Sequence, residues 1–368
     1  MINLLEFPGT TFLYLYVVIS TIFLAYLSTK HEKFSKVIIV LIITRLSLFC
    51  GFRGVTVGTD TLGYFEVAEA LRDSFLSQVF SISDPGYLMY IRITMVLFGA
   101  PQASFIITAF IINSLFILRL RSFRKKISFT LMVTVYVTII YWLSFSGIRQ
   151  MLAVSILFMA TRYLERSKYF IFILFLGLAF LFHKTSLIGL LFIPIYYLNK
   201  NRNQPISIKL FTGLLLVALT LLIFPLIDII IKLIPSLSYY TQYLNETSSR
   251  EMIDIGFMII SRIWLAILMM VVLRKSEKKN DFPNLITIVY TLYALSQVVG
   301  AFFYSTGRIG WYFIGFEPVF FGIEIGQNKF LKLTNRVIKI TIIVYSLYTV
   351  ISYNGNGLLP YIPFWMAR

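Results

Sequence analysis

The chain has 368 residues, of which 58% are hydrophobic and only 13% charged, and its mean hydropathy is +0.82. Soluble domains carry roughly 25% charged residues, so this composition excludes a water-soluble globular body. The formal charge of +17 raises nucleic acid as a partner, but most cations fall in short loops between apolar runs. There they orient helices in a membrane, and no nucleic acid is expected.

In chain order, the first apolar run spans residues 11–28. It lacks a basic leader and a small-residue cleavage site, so it reads as a retained helix rather than a cleaved signal. Further runs follow at 37–52, 103–118, 127–146, 148–164, 169–183, 185–198, 210–231, 256–273, 285–304, 311–326 and 340–353. Runs near 20 residues cross a hydrocarbon core about 30 Å thick, and long uninterrupted runs mean helices rather than a barrel. The expected fold is an all-α polytopic integral membrane protein with about 12 transmembrane helices, a single transmembrane domain over residues 1–368. Aromatic residues make up 17% of the chain, which suits rings packed between helices and at headgroup level. The lone cysteine, Cys50, rules out an internal disulfide and a cysteine-based metal site.

The loops set an orientation. Segments 29–36, 119–126, 162–168, 199–209, 274–284 and 327–339 hold 22 of the 33 Lys and Arg residues. Placing them in the cytoplasm follows the positive-inside rule. Both termini then lie outside, with segments 53–102, 146–149, 183–186, 232–255 and 305–310. The apolar stretch 86–99 is only 14 residues long and carries Arg92, so it reads as a re-entrant or interfacial helix rather than a span. Within the long outer segment Thr59 is placed to cap a short helix from Asp60 to Leu71. The external segments 53–102 and 232–255 are the candidate substrate-binding loops.

Cations that break the charge rule are the informative ones. Arg53, Arg149 and Arg308 fall at the outer ends of spans, with Lys184 and Arg92 at similar depth. Each alone can snorkel to headgroups or pair with a local carboxylate. Three at one depth also suit a phosphorylated ligand, because guanidinium forks take phosphate oxygens bidentately. Three strings surround them. Gly51-Phe52-Arg53 with Val57-Gly58-Thr59-Asp60 is either a close backbone approach to a ligand or a glycine-rich turn before a helix. Ser146-Gly147-Ile148-Arg149-Gln150 puts Arg149 at a helix start, where the dipole adds to anion attraction. Phe182-His183-Lys184-Thr185-Ser186 offers His183 as a general base or as a structural helix-end histidine. Asp228 and Glu317 are acids within apolar runs, either functional or paired with Arg45 and Arg262. No Asp-x-Asp, metal-spaced cluster, P-loop or dinucleotide fingerprint is present. A required metal, a nucleotide-sugar donor or another cofactor therefore has no sequence support, and none is expected.

These strings, with Asp84-Pro85-Gly86-Tyr87 between the first two, resemble in type and order the EpsG branch of the Wzy polysaccharide polymerases. The likeness covers residues 45–200 well and extends weakly to Gly307-Arg308 and Tyr312. Lys184 departs from the pattern, in which Met or Ser is common. The resemblance implies a membrane glycosyltransferase at the outer face of a bacterial inner membrane. It would join undecaprenyl-pyrophosphate-linked oligosaccharide repeats into O-antigen, capsule or exopolysaccharide, with a flippase and a chain-length regulator of the same pathway as partners. It further implies that Arg53, Arg149 and Arg308 hold pyrophosphate, that Asp60 or His183 activates the acceptor hydroxyl, and that Arg149 acts directly on the leaving group. Tyr64, Gln150, Lys184, Ser186, Tyr239, Tyr243 and Tyr312 would contact the substrate. A transporter or flippase is the rival from another class, although repeated halves and midplane polar residues are not evident. An O-antigen ligase is the rival within the same chemistry.

Overall fold

The computed structural model describes residues 6–72, 84–200, 281–302, 304–323, 329–352 and 356–366. Among these residues the chain is helical, without a named strand; one isolated bridge joins Arg53 to Pro363. Among the described residues three segments are long and apolar enough to cross a membrane: Pro8–Lys30, Glu32–Gly51 and Pro101–Ser122. Shorter apolar helices make up most of the other described residues, and they do not confirm a count of about 12 spans. The expected runs 210–231 and 256–273, with the outer loop 232–255, lie outside the described residues.

The helices are α1 (Pro8–Lys30), α2 (Ser35–Gly51), α3 (Thr61–Ala70), α4 (Pro85–Phe98) and α5 (Pro101–Ser122). Next come α6 (Phe129–Val135), α7 (Ile148–Glu165), α8 (Tyr169–Phe182) and α9 (Phe192–Lys200). Last are α10 (Asp281–Phe302), α11 (Tyr304–Ile314), α12 (Glu317–Gly322) and α13 (Lys329–Ser352). Proline opens α4 and α5, where its missing N–H costs nothing, and Gly99 ends α4 at φ 68°. The 14 residues of α4 keep Ile93, Val96, Leu97 and Phe98 exposed. At about 1.5 Å per residue it is too short to span. The N-cap of α3 is Asp60 rather than Thr59, whose hydroxyl instead donates to Asp60 Oδ1 at 3.1 Å.

At the centre lies α7. It is buried on almost every side, as a helix that is apolar all round must be. Helices α5, α8 and α11 pack around it. Its C-terminal end is fixed by Arg119, buried at the end of α5. That guanidinium pairs with Glu165 and donates to Thr161 Oγ1 at 3.0 Å. The N-terminal end of α7 therefore lies opposite the basic 119–126 and 162–168 loops. Helix α6 runs on through a π turn (Tyr136–Ile140) and a 3-10 turn (Tyr141–Phe145) before α7 starts. A second 3-10 stretch, Lys184–Leu191, separates α8 from α9.

The sequence reading fails at 305–326. The expected outer loop 305–310 belongs to α11, and the expected span 311–326 is broken between α11 and α12. Small residues explain the first error: Gly307 sits 3.4 Å (as a Cβ would) from Gly300, and Gly310 lies hard against Ser296, so α11 folds back on α10. The break comes at Gly315, pressed on Phe158, just before Pro318 in the first turn of α12. Glu317 is buried at that helix start. Arg45 is not paired with an acid in its described contacts; it donates to Tyr16 O at 3.2 Å and lies over the Tyr16 ring.

A C-terminal strap locks the loop between α2 and α3. Gly54 N donates to Ile362 O (2.7 Å), Gly58 N to Gly357 O (2.7 Å) and Phe364 N to Phe52 O (2.9 Å). Gly58 has φ 97°, and a Cβ there would collide with the Phe145 carbonyl. Gly58→Ala is expected to destabilise the detergent-solubilised protein by about 1–3 kcal/mol, read as a lower thermal midpoint. Gly177→Ala, a helix position with nothing within 4 Å of a new Cβ, is expected to hold or raise it.

Candidate active site

Five stretches of chain meet at the N-terminal end of α7. Ser146 and Gly147 lead into the helix. Ser146 Oγ donates to Asn356 O of the strap (2.9 Å) and accepts from Thr59 N (3.2 Å), which ties the α7 entrance to the Asp60 loop. Gly147 has no side chain because Trp311 of α11 occupies that space; a Cβ would stand 2.9 Å from its ring. Gln150 Nε2 then donates to Arg308 O (2.5 Å), and Gln297 Nε2 of α10 donates to Gly307 O (2.8 Å). Two side-chain amides thus hold the backbone of α11 at the position of Arg308.

Two arginine–carboxylate pairs flank one imidazole. Arg149 Nη1 lies 2.6 Å from Asp84 Oδ2, with the Asp84 side chain 1% exposed and that of Arg149 25% exposed. The Arg149 guanidinium also lies 5.7 Å from the centre of the Tyr64 ring. Arg308 Nη2 lies 3.4 Å from Asp60 Oδ2, a looser pair with side chains 24% and 37% exposed. Its guanidinium lies 5.6 Å from the centre of the Trp311 ring. Between them stands His183, at the C-terminal end of α8 in extended conformation. Its Nδ1 is 2.8 Å from Tyr312 Oη and 2.7 Å from Thr185 Oγ1, and these hydroxyls are 3.1 Å apart.

Electrostatics separate the roles of these groups. Burial, with Arg149 and Arg308 close by, pushes the His183 imidazole down to about 3, so the ring is neutral at physiological pH. Burial raises the Asp84 carboxyl, opposed by Arg149 and by the nearby backbone N–H and charge of Lys184. The cluster therefore presents two partly exposed cations beside a neutral ring, an arrangement built to receive an anion. Among the described residues no group of three or more His, Cys, Asp or Glu side chains is arranged to hold a metal ion.

Of the residues singled out by sequence, Asp60, Tyr64, Arg149, Gln150, His183, Lys184, Arg308 and Tyr312 come together here. Arg53 does not. Its guanidinium is 1% exposed, between the Phe105 and Phe145 rings, and donates to Cys50 O (2.6 Å) and Thr61 Oγ1 (3.3 Å). It fixes the start of α3, and so Asp60, rather than facing a ligand. Ser186 is completely buried beneath His183, to whose carbonyl its N–H donates at 3.0 Å. Gln150 spends its amide on α11, and buried Tyr312 spends its hydroxyl on His183 and Thr185. All three support the site rather than line a groove. Tyr239 and Tyr243 lie outside the described residues. Asp84, Thr185 and Trp311 were missed as site residues. Asp84 had a signal in the Asp-Pro-Gly-Tyr string, since a proline and a glycine behind a carboxylate mark a fixed helix start, and Thr185 lay within the Phe182–Ser186 string; Trp311 had none.

The depressed His183 titration has a direct check. Histidine-labelled nitrogen NMR of the purified protein is expected to show His183 as a neutral imidazole throughout pH 5–8, the His31→Gln variant removing the only other histidine.

Searches of curated proteins and of solved structures returned no significant match. A family model does match, over residues 36–363, a span that contains every group of the cluster. The chain belongs to the EpsG family, a family of Wzy-type polysaccharide polymerases.

Proposed function

We propose that the cluster holds the pyrophosphate of a polyprenyl-linked oligosaccharide while its glycan passes to a hydroxyl of an incoming lipid-linked repeat unit. The observation that carries this reading is the pair of partly exposed guanidiniums flanking one neutral imidazole. In the transfer, the bond between the donor sugar C1 and the pyrophosphate oxygen breaks, and its electron pair leaves with the pyrophosphate. A new bond forms between C1 and the acceptor oxygen, which gives up its proton. The leaving group is a weak base that gains charge, so fixed cations in a low-dielectric site lower the barrier more than a proton donor would.

The looser pair suggests how the acceptor is activated. When pyrophosphate takes Arg308, Asp60 loses its partner and is free to accept the hydroxyl proton. His183 is a weaker candidate while burial and, after it, the two guanidiniums depress its basicity; it orients Tyr312 and Thr185. The product is O-antigen, capsule or exopolysaccharide, and a flippase and a chain-length regulator of the same pathway are the natural partners.

Charge supports the placement. The cluster lies at one end of α7 and the Arg119–Glu165 pair, with the basic loops after it, at the other. With those loops in the cytoplasm, the site and both termini face outward across the bacterial inner membrane.

Arg149→Ala is expected to lower turnover on the order of 10²–10³-fold, collapsing the polysaccharide ladder to single-repeat products at normal protein level. Arg149→Lys, which keeps the charge and loses the fork, should recover only part. A normal ladder from Arg149→Ala would sink the assignment. Purified protein that elongates lipid-linked repeats without a flippase separates this reading from transport. A ligase variant would instead leave long chains on the carrier lipid.

A further inference from the structure

Asp84 poses a problem for an anion site. A carboxylate 2.6 Å from the guanidinium meant for pyrophosphate repels the ligand it is close to, and burial makes its charge costly to keep. Its surroundings are nonetheless built to hold it there. Pro85 starts α4, and Gly86 presses against the last turn of α8, where a Cβ would stand 2.6 Å from Leu181 Cβ and 2.8 Å from Leu181 O. Any side chain at 86 would push α4 off α8, and Asp84 away with it. From this position Asp84 Oδ2 meets the Arg149 side chain, while Asp84 Oδ1 is buried without a hydrogen-bond partner. Meanwhile Arg149 Nε is buried without a hydrogen-bond partner, so the pair leaves a donor of this guanidinium unspent.

We propose that Asp84 is a positioning residue, which holds the Arg149 fork in the geometry of the transition state and thereby sets the rate of transfer rather than the affinity for the donor. The inference rests on the pyrophosphate reading of the cluster. A long, rotamer-rich side chain loses entropy when it is held in one place, and Asp84 imposes that loss during folding rather than at each turnover. Its negative charge works against ground-state binding of the donor. Removing the charge while keeping the shape should then weaken catalysis without weakening binding, which a merely structural residue would not do.

The experiment compares wild type with Asp84→Asn, Asp84→Glu and Arg149→Ala, each as the full chain reconstituted in lipid with an undecaprenyl-pyrophosphate-linked repeat unit. For Asp84→Asn, kcat is expected to fall about 10²-fold, with KM for the donor unchanged or lower. Inorganic pyrophosphate should bind it at least as tightly as it binds wild type. Asp84→Glu, which keeps the charge, should recover part of kcat; recovery no greater than that of Asp84→Asn counts against the proposal. An Asp84→Asn protein with wild-type kcat overturns the positioning role. So does one whose kcat falls together with a raised KM and weaker pyrophosphate binding, because that pattern marks a general loss of structure. If Arg149→Ala is itself unimpaired, the pyrophosphate reading falls and this proposal with it. If Arg149→Ala is inactive and Asp84→Asn is not, only the role of Asp84 falls.

Discussion

The contact between Arg149 and Asp84 joins two parts of the chain 65 residues apart. Arg149 opens the helix at the centre of the bundle, and Asp84 opens a short peripheral helix that Gly86 seats against the end of α8. A guanidinium at the end of a buried helix cannot be left without a counter-charge, because desolvating it unpaired costs several kcal/mol. A carboxylate with little exposure meets that need and fixes a direction as well. The rest of the site stands beyond it: the His183 imidazole, near both guanidiniums, and Arg308 with its softer partner Asp60.

The bundle supplies the rigidity that such a pair requires. Helix α7 has so few exposed positions that its first turn cannot shift without disturbing α5, α8 and α11. Glycines let the neighbouring elements approach at the points that matter. Gly147 admits Trp311, Gly86 admits Leu181 and Gly315 admits Phe158. Side-chain amides do the complementary work, with Gln150 and Gln297 pinning the carbonyls around Arg308. The C-terminal strap closes the arrangement from outside by bonding both the Asp60 loop and Ser146. In a helical membrane protein this is an economical way to build a site, since loops at the membrane surface have no sheet to hold them.

Legibility in the sequence followed the kind of signal involved. Long apolar runs gave the helical class and, for Pro8–Lys30, Glu32–Gly51 and Pro101–Ser122, the spans themselves. For the shorter runs hydropathy alone does not separate a membrane crossing from a helix buried inside a bundle. The 305–310 segment looked like a loop because Ser, Thr, Gly and Arg are poor hydropathy signals. It is helical because small residues on α10 and α11 let the two pack closely. Arg53 matched Arg149 and Arg308 in depth along the chain, yet it points into the aromatic pair Phe105 and Phe145. Depth is readable from the position of a residue in an apolar run; azimuth around the helix bundle is not.

The sequence alone determined that this chain is a helical membrane protein, that its misplaced cations share one side, and that its ordered strings resemble a polymerase family. Each of these depends on composition or on short-range order, which the linear chain carries in full. Tertiary structure alone decided which cations share a site. It buried Arg53, turned Gln150 and Tyr312 into supports, and brought in Asp84 from 65 residues away to hold Arg149. Those outcomes depend on the packing of helices remote in sequence, where a glycine at one contact decides how near two side chains can come.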